Sequence, residues 1–296
     1  MLRSRRGTDM APAFPEIVAA SRQLPDATAL DGELVVWETG RLAFERLQER
    51  LQRRGAGAFL LAAQWPAHFV AFDLLRLAGT DTTTWPYQRR RAALEQLFTT
   101  HRPTAPWTLC PSTTDPDTIR EWLTWTAVGM EGLLFKRLDS PYLPSLRGWL
   151  KYKVLQTQDA IVGAVTGPVS TPRSLLLGRL DANGRLQYTG RTTTLPKTAG
   201  AALAGVLAPA RSGHPWTGRT YSAGWGTKET LAITLVRPEL VVDVDVNVAR
   251  DSAGRWRHPA RRHRTPSRPR RPRRPTVRRP RQQDIALSYW PVSRRA

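Results

Sequence analysis

The hydrophobic periodicity of the chain changes near residues 156–158, and this change constrains the fold more than any other feature of the sequence. Before it, apolar residues recur with both helical and strand spacing, whereas beyond Gly167 they recur with strand spacing alone. Val242, Val244 and Val246 alternate with polar residues, which gives one apolar and one hydrated strand face. The pattern predicts an α+β domain followed by a small antiparallel barrel.

Individual helices and strands can be placed along both parts of the chain. The predicted strands are Leu30–Trp37, His68–Leu75, Gly132–Leu138, Trp149–Lys153, Asp159–Val165, Ser174–Leu180 and Arg185–Thr192. Helical spacing predicts helices over Arg41–Arg54 and Pro86–Phe98, and Asp115-Pro116 has the N-cap acid and first-turn proline of a third helix. The pair Asn183-Gly184 predicts a type I′ hairpin turn.

The composition excludes several classes of protein. Hydrophobic residues make up 41% of the 296 residues, which is enough for a core in one large or two medium domains. A lone cysteine, Cys110, excludes an internal disulfide and a zinc site built on several thiolates. Because the sequence contains neither an apolar stretch of about eighteen residues nor the apolar core of a signal peptide, we expect a cytoplasmic protein without a membrane partner.

The formal charge of +21 indicates a polyanionic partner, because lysine and arginine gain affinity by neutralising phosphates. Residues 255–296 contain fifteen arginines and one aspartate, so +14 of the charge lies there and +7 in residues 1–254. The Pro-Arg run 268–275 cannot bury apolar surface and is predicted to stay disordered. Two interpretations of this tail are open: an arm that holds nucleic acid without selecting sequence, or the product of a GC-rich coding region read in the wrong frame.

Four short segments, in a fixed order, carry the candidate chemistry. They are Ser4–Asp9, Asp31–Leu34, Phe72-Asp73, and Glu131–Lys136 paired with Trp149–Lys153. Lys151 and Lys153 lie two positions apart on a predicted strand, so both ammonium groups point to one face and can meet one phosphate. The sequence has five lysines against forty arginines, so this pair does not come from a lysine-rich background. Glu33 and Glu131 begin predicted strands, where two carboxylates could converge on a divalent ion.

Together these segments resemble the ordered motifs of the covalent nucleotidyltransferase superfamily, and residues 3–259 resemble its bacterial ATP-dependent DNA ligases. The resemblance implies an ATP-grasp-like, antiparallel-sheet nucleotidyltransferase (adenylation) domain over residues 1–156 and an OB-fold β-barrel over residues 157–260. A disordered Arg/Pro tail would then occupy residues 261–296. It also implies ATP as the AMP donor, Mg²⁺, and nicked double-stranded DNA as the substrate in repair or recombination. We expect a monomer.

The resemblance assigns catalytic roles to three residues and a supporting role to a fourth. Glu131 would bind the metal ion, and Glu33 would lie in the nucleotide and metal pocket. Lys151 and Lys153 would contact the α-phosphate of the nucleotide, where a compact ammonium suits a moving phosphoryl group.

The remaining roles concern the base, the DNA and the adenylation step. Phe72 would stack on adenine, and Arg5 would hold the 5′-phosphate of the nick through a bidentate contact, with Arg6 the less favoured candidate. Arg255–Pro259 resembles the start of a motif that an OB domain swings over the nucleotide during adenylation. The resemblance stops at the arginine-rich residues 261–266.

In this family the reaction begins with a lysine in a Lys-x-Asp-Gly context, which attacks ATP and forms lysyl-AMP. The sequence has Asp-Gly at Asp31-Gly32, and its first lysine is Lys136. We therefore expect the motif to fall upstream of Met1, either because the start is placed too late or because the chain is a fragment. Such a chain would be N-terminally truncated, lack the first strands of its domain, be inactive in self-adenylation, and keep only weak sealing of an already adenylated nick. Two alternatives are open: a catalytically dead nucleic-acid-binding module, or an RNA ligase or RNA-end guanylyltransferase of the same superfamily.

Overall fold

The computed structural model describes residues 1–125, 130–144, 146, 148–222, 229–248, 250–251 and 253–262. Its contacts divide the chain into two compact units. The first contains residues 1–155 and 246–260, and the second contains residues 156–245 with the described residues from 261 on. The segment 246–260, expected in the second domain, thus makes its contacts within the first unit. The predicted tail lies outside the described residues from residue 263 on. Among the described residues, no helix is long and apolar enough to cross a membrane.

An antiparallel pair of long strands forms the centre of the first unit. Strands β1 (Ala29–Glu38) and β3 (Ala67–Leu77) are in register with Asp31 opposite Asp73 and Glu33 opposite Val70. The sheet has the order β2-β1-β3-β4, with one further strand on β3; its short strands are β2 (Arg41–Leu42), β4 (Thr80–Asp81) and β5 (Trp107–Leu109). Strand β5 runs parallel to β3, and the other pairings are antiparallel.

Five α-helices are described in the first unit, and several pack on this sheet. They are α1 (Pro15–Ala20), α2 (Phe44–Leu51), α3 (Gly55–Gln64), α4 (Tyr87–His101) and α5 (Pro116–Trp122). The core that they form with the sheet includes Phe14, Leu74 and Leu94, which have no exposed surface. As predicted, the Asp115 carboxylate caps α5, since it accepts hydrogen bonds from the amides of its first turn.

An ion pair of the buried Arg50 joins helices α1 and α2 and the segments just before α1 and just after α3. The Arg50 side chain is fully buried, and its guanidinium contacts the Glu16 carboxylate and donates to the carbonyl oxygens of Ala13 and Trp65. The guanidinium also lies over the Phe14 ring, 4.6 Å from its centroid. This set of partners compensates a charge that would otherwise be costly to bury.

The helix predicted from Arg41 begins later than the spacing indicated. Thr39 and Gly40 have φ values of +48° and +77°, and they close a tight turn that pairs Leu42 with Trp37. Residues 41–42 are therefore strand β2, and α2 starts at Phe44. Sheet pairing has overridden the helical pattern at this end.

Two further strands, β6 (Gly132–Phe135) and β7 (Leu150–Lys153), form a separate two-stranded antiparallel ribbon in the first unit. Both strands were predicted, but β6 ends at Phe135 rather than at Leu138. Gln88 of α4 donates its backbone N–H to the Leu138 carbonyl, so residues near 138 contact that helix instead of extending the ribbon.

The second unit is built on one sheet with the strand order β10-β9-β8-β12-β13 and an additional strand on β8. Its elements are β8 (Leu155–Thr166), β9 (Ser174–Leu180), β10 (Leu186–Arg191), α6 (Lys197–Ala204), β11 (Ile233–Leu235), β12 (Val241–Asn247) and β13 (Arg261–Arg262). The pairings of β9 with β8 and β10, of β11 with β8, and of β13 with β12 are antiparallel. A closed OB barrel remains a prediction.

A buried tryptophan organises the core of this sheet. Trp216 is 1% exposed and donates its indole N–H to the Leu186 carbonyl over 2.9 Å. A Cβ atom on Gly163 or Gly178 would come within 2.4 and 2.8 Å of the indole ring. Both glycines are therefore required where this ring packs against the sheet.

The turn between β9 and β10 is not the predicted type I′ turn. Gly184 has a φ of +74°, but Asn183 does not have the positive φ that a type I′ turn also requires. The reason lies in Asp181, whose carboxylate accepts hydrogen bonds from the backbone N–H groups of Asn183 and Arg185. This local hydrogen bonding favours an Asx-type turn with a single left-handed glycine.

Candidate functional site

The ribbon of β6 and β7 presents the two predicted phosphate-binding lysines side by side. Lys151 is opposite Leu134, and Lys153 is opposite Gly132. Residues two positions apart on a strand point to the same face, so both lysines lie on one face of the ribbon, and both are exposed. The ribbon can therefore offer two ammonium groups to one anion.

Gly132 allows the two strands of the ribbon to come together at the start of β6. Its φ is +150°, and a Cβ atom there would lie 2.0 Å from the Tyr152 carbonyl oxygen. The pairing continues one step further, because the Val154 N–H donates to the Glu131 carbonyl over 3.0 Å. The Glu-Gly sequence thus places Glu131 directly before β6, next to the end of β7, the strand that carries the lysines.

The Glu131 carboxylate is held by side chains of the segment 246–260. Arg257 Nη1 donates to Oε1 over 2.9 Å, and His258 Nε2 lies 3.5 Å from Oε2. Asn247 Nδ2 is 3.4 Å from the same oxygen. The hydrogen bond from His258 and the charges of Arg257, His258 and Lys151 lower the pKa of Glu131, although burial opposes them. Glu131 is thus an ionised, one-quarter exposed carboxylate.

Phe72, the predicted adenine-stacking residue, lies beside a buried lysine. The ammonium of Lys136 donates to the Phe72 carbonyl over 3.1 Å and to Asp73 Oδ2 over 3.0 Å. It also lies over three aromatic rings, 4.0 Å from the centroid of Trp149, 4.6 Å from Tyr87 and 4.8 Å from Phe72. Burial lowers the pKa of Lys136, and the Asp73 carboxylate opposes that change.

Asp73 is fully buried, and a second cation compensates its charge. Arg90 of helix α4 binds both carboxylate oxygens, with Nε 2.8 Å from Oδ1 and Nη2 3.2 Å from Oδ2. The sequence prediction missed Arg90 because it lies in a run of three arginines. Its spacing to Leu94 and Leu97 was the available signal, since positions four and seven residues apart share one helix face.

Asp31 forms another contact that the motif order did not indicate. Its carboxylate accepts a hydrogen bond of 2.8 Å from the Tyr142 hydroxyl. Burial raises the pKa of Asp31, and the hydrogen bond from Tyr142 only partly offsets it. The Tyr142 ring also packs edge-on against Trp149, with centroids 6.1 Å apart. No local pattern near Tyr142 predicts a partner more than one hundred residues away.

Glu33, the second predicted acid, is exposed on β1 opposite Val70. Its charge contributes to the raised pKa of Cys110, whose main cause is burial. Within the described ranges, no three His, Cys, Asp or Glu side chains form a group that could hold a metal ion. The convergence of Glu33 and Glu131 on one ion therefore remains a prediction.

Arg5 and Arg6 lie at the tip of a short, ordered hairpin. Arg3 and Asp9 form its base as an isolated antiparallel bridge. Gly7, with a φ of +82°, donates its N–H to the Ser4 carbonyl over 2.8 Å and closes the turn. Both arginine side chains are exposed and could reach an external phosphate.

Comparison with known proteins identifies the family to which the chain is similar. Residues 1–153 match the family model described as "ATP dependent DNA ligase domain". The chain is 35% identical over 264 residues to DNA ligase C2 of Mycolicibacterium smegmatis. This match covers 82% of this chain and 74% of that protein. It is 33% identical over 284 residues to DNA ligase C of Mycobacterium tuberculosis, and this match covers 89% of this chain and 79% of that protein.

A solved structure from a structure–function study of Lig E DNA ligases shares the fold. Its TM-score is 0.54 at 18% identity, and the match covers 88% of this chain and 84% of that one. The family match spans more than half of the 296 residues, in the unit that contains Glu131, Lys151 and Lys153. The chain therefore belongs to the ATP-dependent DNA ligase family.

Proposed function

We propose that this protein seals nicks in duplex DNA in the course of DNA repair, through intermediates in which AMP from ATP is transferred to the 5′-phosphate of the nick. The observation that carries the proposal is the ribbon of β6 and β7, with Glu131 at its end and Lys151 and Lys153 on one face. Its electrostatic character suits the transfer of a phosphoryl group, which needs positioning and charge compensation more than covalent machinery.

The step assigned to this chain is the joining of an adenylated nick. The 3′-hydroxyl oxygen attacks the 5′-phosphorus, its proton leaves to solvent or a nearby base, and a new phosphodiester bond forms. The bond between that phosphorus and the AMP phosphate breaks, and AMP leaves. Lys151 and Lys153 would neutralise the charge that builds up on the phosphate oxygens during this exchange.

Two acids are proposed to hold Mg²⁺, which would stabilise the developing negative charge when bound. Glu131 fits, because its carboxylate is ionised and is a hard oxygen ligand of the kind that Mg²⁺ prefers. In the structure both of its oxygens have nitrogen neighbours, Arg257 above all. Arg257 would therefore have to leave Glu131 for the ion to bind there. Glu33 is the second proposed ligand and is exposed.

Phe72 and Arg5 are proposed to bind the two ends of the substrate. The Phe72 ring would stack on the adenine, since its position beside Trp149 places it close to the strand that carries the lysines. Arg5, with Arg6 as its alternative, would bind the 5′-phosphate side of the nick. The hairpin that holds both arginines supports this role because it presents their guanidinium groups to solvent.

The test supplies AMP already attached to the DNA, because the 296 residues contain no Lys-x-Asp-Gly sequence. The purified chain is mixed with a duplex that has one 5′-adenylated nick, with Mg²⁺ and without ATP, and strand joining and AMP release are followed together. We expect joining that EDTA abolishes. The Lys151→Ala/Lys153→Ala variant should join at least about a hundredfold more slowly.

Lys197→Ala is the matched control for loss of positive charge. Lys197 is exposed on helix α6 in the second unit, so its variant should join at the wild-type rate. Absence of Mg²⁺-dependent joining by the wild-type chain would overturn the proposal. Joining of an adenylated RNA nick in place of the DNA nick would instead favour an RNA substrate.

A further inference from the structure

Lys136 is the centre of a compact cluster between strand β3 and the ribbon. Only 7% of its side chain is exposed. Its ammonium contacts the Phe72 carbonyl and the Asp73 carboxylate, and the rings of Trp149, Tyr87 and Phe72 surround it at 4.0–4.8 Å. Burying an ammonium is costly unless such partners compensate the lost hydration.

The ion pair with Asp73 does not by itself explain why this lysine is present. Arg90 already binds both oxygens of the Asp73 carboxylate, so that carboxylate would keep a cation without Lys136. Apart from Asp73 and the Tyr87 ring, the ammonium contacts the backbone and ring of Phe72, the proposed base-stacking residue, and the ring of Trp149. Phe72 and Trp149 are together called the base platform. Those two rings also meet edge-to-face at 5.8 Å.

Lys136 also connects this platform to the proposed phosphate site. It follows strand β6, and Trp149 directly precedes strand β7, which carries Lys151 and Lys153. The ammonium therefore contacts both Phe72 on the central sheet and Trp149 at the start of the ribbon. A small shift of the ammonium would move the base platform relative to the two phosphate-contacting lysines.

We infer that Lys136 is a positioning residue that fixes the Phe72 ring for stacking on the nucleotide base, and so gives the site its preference for a base-bearing triphosphate over a bare one. This inference rests on the proposed function of Phe72, Lys151 and Lys153. Lys136 itself would not touch the reacting atoms. Its loss should therefore affect the base-dependent part of binding and leave the phosphate-dependent part intact.

The test compares two ligands, ATP and inorganic tripolyphosphate, by isothermal titration against the full chain. Wild type should bind ATP more tightly than tripolyphosphate. Lys136→Met should weaken ATP binding by about tenfold and change tripolyphosphate binding by less than about twofold. The Lys151→Ala/Lys153→Ala variant should weaken both ligands. Arg137→Ala is the matched control, since its side chain is 76% exposed and pairs with Asp139 at the surface.

The outcomes distinguish a positioning role of Lys136 from a purely structural one. Equal losses for ATP and tripolyphosphate in Lys136→Met, or no loss for either, would overturn the inference. A second variant, Lys136→Gln, keeps an N–H donor but lacks the charge, and it should show the same selective loss of ATP. Unfolding of both variants, seen by circular dichroism, would assign Lys136 a purely structural role. Failure of the wild type to bind either ligand would count against the proposed function instead.

Discussion

Gly32 lies where strands β1 and β3 approach too closely for a side chain. A Cβ atom there would come within 2.3 Å of the Phe69 ring and 2.7 Å of the Val70 carbonyl oxygen. Because Phe69 is itself packed edge-on against Trp107, its ring cannot move without disturbing the core. We expect Gly32→Ala to lower the free energy of unfolding by about 2–3 kcal/mol, measured by urea denaturation.

Gly57→Ala is the control for this prediction. Gly57 lies inside helix α3, and a Cβ atom there would meet no atom within 4 Å. Alanine should therefore stabilise the protein by about 0.5–1 kcal/mol. Equal effects of the two substitutions would mean that the close approach at Gly32 is not present in solution.

Asp31 should make the stability of the first unit depend on pH. Burial raises the pKa of Asp31, so above its ordinary value of 3.8 the folded state binds more protons than the unfolded state. The free energy of unfolding should therefore fall, relative to Asp31→Asn, as the pH rises from 3.8 through the raised pKa, by at most about 1.4 kcal/mol per pH unit. Denaturation of both proteins across this range tests the prediction, and parallel curves would contradict it.

At the residue scale, the sequence could predict side chains whose position follows from local spacing. Lys151 and Lys153 lie on one face as their separation of two required. The burial of Arg90 could have been predicted from its helical spacing to Leu94 and Leu97. The partners of Asp31 and Glu131 were not, because they come from parts of the chain more than one hundred residues away, which no local pattern indicates.

At the scale of elements, the segment 246–260 covers the proposed metal ligand. Arg257 binds the Glu131 carboxylate and also lies over the Phe44 ring at 3.3 Å, so its guanidinium is held from two sides. Because a cation and Mg²⁺ compete for the same oxygens, Arg257→Ala should bind Mg²⁺ more tightly. We expect the dissociation constant for Mg²⁺ to fall roughly fivefold, and no further, since the ion pair is partly screened by solvent.

Titration calorimetry with Mg²⁺ measures this effect directly. Arg255→Ala is the matched control, because Arg255 lies in the same segment but pairs with Asp251. That variant should bind Mg²⁺ as the wild type does. Unchanged Mg²⁺ affinity in Arg257→Ala would show that the Glu131 oxygens are not the ones that the ion needs.

Elements with a strong local pattern were predicted well, and elements that depend on distant packing were not. Strand β1, helix α5 and strand β7 lie within a residue or two of the expected positions. Helix α3 was missed because its first half contains Gly55, Gly57 and alanines, which give no amphipathic spacing. Packing against α1 and against the 3-10 turn Ala11–Ala13 stabilises helix α3 instead.

For the whole molecule, most of the formal positive charge lies between residues 255 and 296, mainly beyond the described residues. If this charge meets DNA phosphates, deletion of residues 263–296 should make the dependence of log affinity on log salt concentration clearly shallower. Affinity for nicked duplex at low salt should fall by at least about tenfold. Fluorescence anisotropy over a salt series measures both.

The same series separates a ligase from a protein that only binds nucleic acid. A sealing protein should keep its joining activity on an adenylated nick without residues 263–296, at higher enzyme concentration. An unchanged slope would mean that the two units, rather than the tail, contact the DNA. Loss of all binding, with no joining at any concentration, would favour the binding-only alternative.

The central claim is that Glu131 and Lys151 act on one phosphate, and a double-mutant cycle of single-turnover joining on the adenylated nick tests it most directly. Glu131→Gln and Lys151→Ala should each slow joining by about a hundredfold. The double variant should be much faster than the product of the two losses predicts, because groups that act together are not additive. Losses that multiply, or either single variant joining at the wild-type rate, would contradict the claim.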